Sequence, residues 1–378
     1  MERARSNNGL ARIRVVGVGG GGCNAVSRMV QAKVKDVDLV AVNTDAQVLE
    51  VIEAHQHVQI GSKLTGGLGA GGDPDVGRRA AEESEGELHD ILEDIDMLFI
   101  TSGMGGGTGT GAAPVIARLA QEAGVLNVGI VTRPFAFEGH QRAERCKKGI
   151  EELRQYVDTL ITIPNDRLLK VAPADLPLMQ AFDLVDDILR QGVQGITDLI
   201  TTPGMINMDF ADVETTMRKA GTALMGIGEG EGESRTREAA RSAITSPLLE
   251  GSVEGAQRVI MNITGGTDLT LEEVTEAAQL IRDAVSESAD IFFGTTVKDD
   301  FDGLKITLIA TGFKPIEDEE FEELESEDEF KEYEAQFNHD RNNHSDDSPS
   351  TEKRERPGDW DIPTFIRRRG DDGGDDED

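Results

Sequence analysis

The chain has 378 residues, 38% of them hydrophobic, and a net charge of −34. This is long enough for two domains and a tail. Such an acidic balance argues against nucleic acid as a partner, because binding a phosphate backbone needs a basic face. No apolar run nears the length of a membrane span, and the opening MERARSNNGLAR does not read as a secretory leader, so a cytoplasmic protein with no direct membrane insertion is expected. The two cysteines, Cys23 and Cys146, make neither a disulfide framework nor a metal site. Lysine is scarce, 12 against 26 arginines, and the segment from Glu317 onward holds 25 acidic and 8 basic residues. An acidic, lysine-poor body suits a highly saline interior, where salt screens carboxylate repulsion; an ordinary acidic cytosolic protein is the alternative.

Residues 12–19 (RIRVVGVG) read as a buried strand, followed by the loop GVGGGGCNA and a helix, AVSRMVQA. Strand DLVAVNTD, short helix AQVLEVIEA and strand HVQIG come next, then a glycine loop, LTGGLGAGGDP, and the helix DVGRRAAEESEGELHDILED. The apolar run at 97–101 enters the central stretch SGMGGGTGTGAAP (102–114), and a helix spanning 112–124 leaves it. Strand, glycine loop and helix start form the geometry that binds phosphate: glycine lets an anion approach the amides, and the free N–H groups of the helix start point at it. Strand LNVGIVTRP, helix EGHQRAERCKKGIEELRQY and strand DTLITIPND complete an alternation that predicts a parallel sheet covered on both faces. Ligands of such sheets sit at the strands' carboxyl ends, where the glycines, NTD and PND all fall.

Past Pro173 the pattern changes. Residues 176–200 form one amphipathic helix of roughly 35 Å, at about 1.5 Å per residue. A loop, TTPGMINMD, and a helix over FADVETTMRKAGTALM follow; strands RVIMNITGG, ADIFFGTTV and LKITLIATG with two helices then predict a second, α+β domain. Residues 317–358 are too polar to bury a core, and DWDIPTFIRRR interrupts them with Trp360, Ile362, Phe365 and Ile366.

Gly17, Gly19 and Gly22 satisfy GxGxxG, the dinucleotide fingerprint. Two further glycine loops exceed what one pyrophosphate requires, and there is no GxxxxGK[ST] loop. Three loops converging on one site suggest a triphosphate held by backbone amides. With no lysine in them, Mg²⁺ would carry much of the countercharge.

GGGTGTG at 105–111 resembles the tubulin/FtsZ signature, and from about residue 12 to 315 the chain is similar to FtsZ, with GVGGGGCNAV, AVNTDAQ, GLGAGGDPDVGRRAA, PFAFEG, TLITIPNDRLL and NMDFADV all in order. The resemblance implies a GTP-dependent, self-assembling cell-division protein, located at a midcell ring. The implied fold is α/β: a Rossmann-like GTP-binding domain (12–175) after a flexible N-terminus (1–11), a core helix (176–201), and a C-terminal α+β domain carrying a catalytic loop (202–315). A disordered acidic linker (316–358), a partner-binding peptide (359–369) and an acidic tail (370–378) follow. It places phosphates on Gly20, Gly21, Gly71, Gly105, Gly106, Gly107, Thr108 and Gly109. Glu138 and Arg142 become ribose and phosphate contacts, with Asn165 continuing that edge. Asn24 and Asp186 become the guanine readers, with Phe182 stacked on the base. Guanine offers two donors at N1 and its amine, which suits an ionised carboxylate; adenine would leave it unpaired, at ~1–3 kcal/mol. A solvated helix position is the other reading of Asp186.

The resemblance also implies that Asn207, Asp209 and Asp212 complete the site of a neighbouring subunit, orienting water and influencing the metal. Asp209 and Asp212 stand three apart at a helix start, where Asp209 either serves that chemistry or caps the helix from Phe210. Head-to-tail contacts that do not close give filaments. Glu214 departs from the family's usual arginine. GTP, GDP and Mg²⁺ are the implied ligands, with K⁺ a further candidate. A flexible 317–358 segment would span roughly 35–40 Å and present 359–369 to a membrane-tethering division adaptor. A cell-shape filament of the same superfamily and a nicotinamide-dependent dehydrogenase are the alternatives.

Overall fold

The computed structural model describes residues 11–169, 173, 175–201, 208–299 and 301–313. Asn207, the 316–358 linker, the 359–369 peptide, the 370–378 tail and all but residue 11 of the N-terminal segment lie outside the described residues.

In the first half, strands β1 (Ile13–Val18), β2 (Val37–Asn43), β3 (Gln56–Gln59), β4 (Met97–Gly103), β5 (Leu126–Arg133) and β6 (Thr159–Pro164) alternate with helices α1 (Gly19–Gln31), α2 (Ala46–Val51), α3 (Ser62–Thr65), α4 (Pro74–Glu83), α5 (Glu85–Asp90), α6 (Thr108–Glu122), α7 (His140–Arg154) and α8 (Asn165–Leu169). The long helix α9 (Leu178–Thr201) follows. The second half adds α10 (Phe210–Met217), β7 (Gly221–Gly230), α11 (Arg235–Ile244), β8 (Arg258–Gly265), α12 (Leu271–Ala284), β9 (Asp290–Val297) and β10 (Leu304–Thr311).

All ten strands join one sheet in the order β3-β2-β1-β4-β5-β6-β7-β10-β8-β9. Pairing is parallel from β3 through β7 and antiparallel on both sides of β10, and β9 runs parallel to β8. The join between halves is short: β6 meets β7 only at Thr159↔Gly221, Leu160↔Thr222 and Ile161↔Ala223. Continuous apolar strands follow from covering both faces. Val15, Phe99, Val128 and Ile161 pack with α1 and α9 on one side, while Val16, Val18, Ile100 and Val131 pack with α4 and α6 on the other. A separate core lies between β8, β10, α11 and α12.

Four elements differ from the sequence reading. Helices α1 and α6 begin at Gly19 and Thr108, inside stretches read as loops. Their glycines are there because backbones touch. A Cβ on Gly22 would lie 2.3 Å from the Thr101 carbonyl oxygen, and one on Gly111 would lie 1.9 Å from that of Pro74. The segment after Pro74 breaks into α4 and α5 at Ser84. GTALM, read as helix, opens strand β7: Arg218 is extended, and Lys219 and Gly221 take positive φ (53° and 70°), which ends α10. Gly226, Gly228 and Gly230 then present a bare face on which α11 rests, their added Cβ atoms falling 2.1 Å from the carbonyl oxygens of Ala243, Ala239 and Arg235.

Candidate functional site

The three glycine loops come together at the carboxyl ends of β1, β3 and β4. Gly19 (φ +71°) starts α1 against α6; a Cβ there would meet the Gly109 nitrogen at 2.8 Å. Gly107 would meet Ala70 Cβ at 2.8 Å and Asp73 N at 2.9 Å, which locks the 64–74 loop after β3 onto the central one. Gly105 abuts Arg142 of α7, whose carbonyl oxygen lies 2.6 Å from an added Cβ. By contrast Gly20, Gly71 and Gly106, one from each loop, have nothing within 4 Å. The loops therefore leave an open, backbone-lined cradle at the starts of α1 and α6, the geometry an anion needs. Hydroxyls stiffen it. Thr44 and Thr108 share a hydrogen bond of 2.7 Å, and the Gly105 N–H donates to Thr110 Oγ1 at 2.8 Å. Thr44 was not singled out in the sequence; its signal is the NTD triplet ending β2.

Beside the cradle, Glu138 accepts from the Phe135 N–H (2.8 Å) and pairs with Arg142 (2.9 Å). Asn165 opens α8, buried, and its carboxamide oxygen has no partner. A buried acceptor left open is costly, and a ligand donor would satisfy it. Asp166 holds the adjoining segment by accepting from the Ala136 N–H at 3.0 Å. Asn24 is exposed one turn into α1. Phe182, on the first turns of α9, meets Phe135 edge-on at 5.5 Å and remains 39% exposed. Asp186 lies one turn further along α9. Burial pushes its carboxyl up to about 7, with Arg28 opposing and Asp183 and Asp187 adding to the rise. The phosphate, ribose and base candidates thus gather around the carboxyl ends of the first-half strands and the start of α9.

Asp209 and Asp212 stand elsewhere. Helix α9 has 24 residues, about 36 Å at ~1.5 Å per residue, with Phe182 and Asp186 near its start. Past its far end comes α10, whose last turn is pinned to the first residue of β6: Thr159 Oγ1 donates to the Met217 carbonyl oxygen at 2.5 Å. That is the end of β6 opposite Asn165. Asp209 is the N-cap of α10, accepting from the Asp212 N–H at 2.9 Å, so the capping role is real. Among the described residues no hydrogen bond or ion pair joins α10 to a glycine loop. Glu214 is matched within its own chain by Arg218 at 2.6 Å, itself 3.5 Å from Asp158.

A family model described as Tubulin/FtsZ family, GTPase domain, matches residues 12–173, and one described as FtsZ family, C-terminal domain, matches residues 221–314. An FtsZ dimer from M. jannaschii is 42% identical, with a TM-score of 0.78 over 81% of this chain and 89% of that one. The chain belongs to the FtsZ family. A mutant of the M. jannaschii FtsZ matches equally well, at 42% identity and a TM-score of 0.77 over 80% of this chain and 92% of that chain. The GDP-bound monomer of CetZ1 from Haloferax volcanii shares the fold, at 21% identity and a TM-score of 0.70 over 81% of this chain and 95% of that one. As an FtsZ-family member the chain is a GTPase that binds GTP and GDP, which removes the dehydrogenase alternative. The GxGxxG glycines Gly17, Gly19 and Gly22 accordingly serve close packing of α1 on β1, β4 and α6.

Proposed function

We propose that this FtsZ-family GTPase is a cytoplasmic division protein that polymerises head to tail, hydrolyses GTP between subunits and forms a ring at midcell. The observation that carries this reading is the separation of its two half-sites. The glycine cradle and the base-reading residues lie at one end of α9, and Asp209 and Asp212 follow its other end. In the proposed filament, amides of Gly20, Gly21, Gly71, Gly105, Gly106, Gly107 and Gly109, with Thr108, cradle the phosphates. Glu138, Arg142 and Asn165 hold the ribose edge, and Asn24, Phe182 and Asp186 hold guanine. Asp212 of the next subunit orients the attacking water, Asp209 fixes the helix that presents it, and Asn207 belongs to the same loop. Among the described residues no three His, Cys, Asp or Glu side chains cluster as a metal site. A Mg²⁺ ion would neutralise charge on the phosphates; neither it nor K⁺ has a side-chain site proposed.

Residues 359–369 are proposed to dock on a membrane-tethering adaptor. No helix among the described residues is long and apolar enough to cross a membrane, so attachment would be through a partner. A cell-shape filament is the second reading. The 42% identity to FtsZ, against 21% to CetZ1, favours division. The test is GTP turnover per molecule across a dilution series, paired with pelleting in GTP, GDP and ATP at low and multimolar KCl. Turnover should rise steeply with concentration, and GTP should drive pelleting. Turnover per molecule unchanged in strictly monomeric protein would overturn the shared site, and a fluorescent fusion absent from division sites would overturn the division role.

A further inference from the structure

We propose that Arg28 tunes guanine-nucleotide affinity from outside the pocket, through its charge beside Asp183 and Asp186 at the contact between α1 and α9. This rests on the reading of Asp186 as the guanine-binding residue.

Asp183, Asp186 and Asp187 occupy positions i, i+3 and i+4 of α9 and so crowd one face. Two have partners. Asp187 accepts from Arg190 Nε at 2.9 Å and from Gln191 Nε2 at 2.8 Å. Asp183 is paired with Arg28, which lies 155 residues away in sequence and is the one charged residue in α1. Asp186, half-buried between them, has no hydrogen bond or ion pair among the described residues. The other charges nearby are engaged elsewhere. On α8, Asp166 accepts from Ala136 N and Arg167 donates to the Leu249 carbonyl oxygen. Glu138 is paired with Arg142, and Lys305 of β10 pairs with Glu229 of β7 at 3.2 Å and donates to Gln191. Arg28, held by Asp183 one turn from Asp186 on the same face of α9, is the cation that opposes the rise at Asp186.

The chemistry makes that field matter. Reading the N1–H and amine of guanine needs an acceptor on both oxygens, and a protonated carboxyl turns one into a donor. Burial and two like-charged neighbours favour the neutral form; Arg28 favours the charged one. Removing Arg28 takes away the cation that opposes burial and the neighbouring carboxylates at Asp186, and proton uptake by Asp186 relieves the repulsion. Because the ionised form binds, affinity is full above the midpoint and is lost as pH falls through it.

The experiment is GDP affinity of the full chain from pH 5.5 to 9 at fixed salt, with Asp186→Asn as the baseline that contains only the phosphate's own titration. Relative to that baseline, wild type should lose up to about tenfold per pH unit below its midpoint. Arg28→Gln should move the midpoint up by about one unit, binding GDP about fivefold more weakly at pH 7 and like wild type at pH 9. Arg28→Lys should restore the midpoint, and Asp183→Asn should move it down. An Arg28→Gln midpoint identical to wild type, or a loss that persists equally at pH 9, would overturn the tuning role. An Asp186→Asn chain binding GDP like wild type at pH 8 would overturn the base-reading assignment itself.

Discussion

The two ends of α9 are built by opposite means. At its start, the cradle is made almost entirely of backbone. Glycines either press the loops against neighbouring backbone, as Gly19, Gly105 and Gly107 do, or leave space, as Gly20, Gly71 and Gly106 do. Beyond its far end, the proposed catalytic groups are carboxylate side chains at the start of α10, where Asp209 caps the helix that carries Asp212. A site that binds a polyanion needs amides and room; a site that handles water needs an acceptor at a fixed angle. On the proposed reading one protomer carries both, at opposite ends of α9, and a second copy would supply the missing half.

Breaking the far end should have the largest effect. Asp212→Ala is expected to bind GTP normally and to lose about 10²–10⁴-fold in turnover, the range for a positioned base; phosphate release alongside nucleotide affinity checks it. Next come the packing glycines. Gly111→Ala drives a Cβ into the Pro74 carbonyl and should cost about 1–3 kcal/mol of stability, seen as a lower denaturation midpoint. Gly106→Ala meets nothing; it should leave stability within about 1 kcal/mol of wild type yet weaken GTP binding. Equal destabilisation by the two would erase the distinction between packing and cradle glycines.

Smaller effects sharpen the picture at α10. Asp209→Ala removes the cap and should cost about 1 kcal/mol, while Asp209→Asn keeps an acceptor and most of that stability. Turnover by Asp209→Asn then reports whether the charge does anything besides capping. Smallest of all, Glu214→Gln loses a half-exposed i,i+4 pair with Arg218. No more than about 0.5 kcal/mol should follow in thermal denaturation.

Most of the first half was legible because alternating apolar runs and helical stripes leave few other arrangements. The glycine stretches announced a phosphate site, yet their helix starts were misplaced, since glycine in sequence does not say whether it makes a turn or lets two backbones meet. Strand β7 was missed for a related reason: GTALM has the composition of a helix, and only Lys219 and Gly221 at positive φ mark the break. The Asp209 cap was one of two readings at that position, and geometry supplied it. Arg28 was invisible, because its pairing with Asp183 depends on how α1 lies along α9; Thr44 lay within the NTD triplet, but nothing in the sequence said that its hydroxyl would bond Thr108.

The row Gly226, Gly228 and Gly230 carries a warning for anyone mapping tolerance to mutation across this chain. Any larger residue there collides with main-chain carbonyls of α11, so these positions would rank among the most intolerant in a scan. They would look like a ligand-contacting stripe, when their intolerance records only how closely a helix lies on a strand.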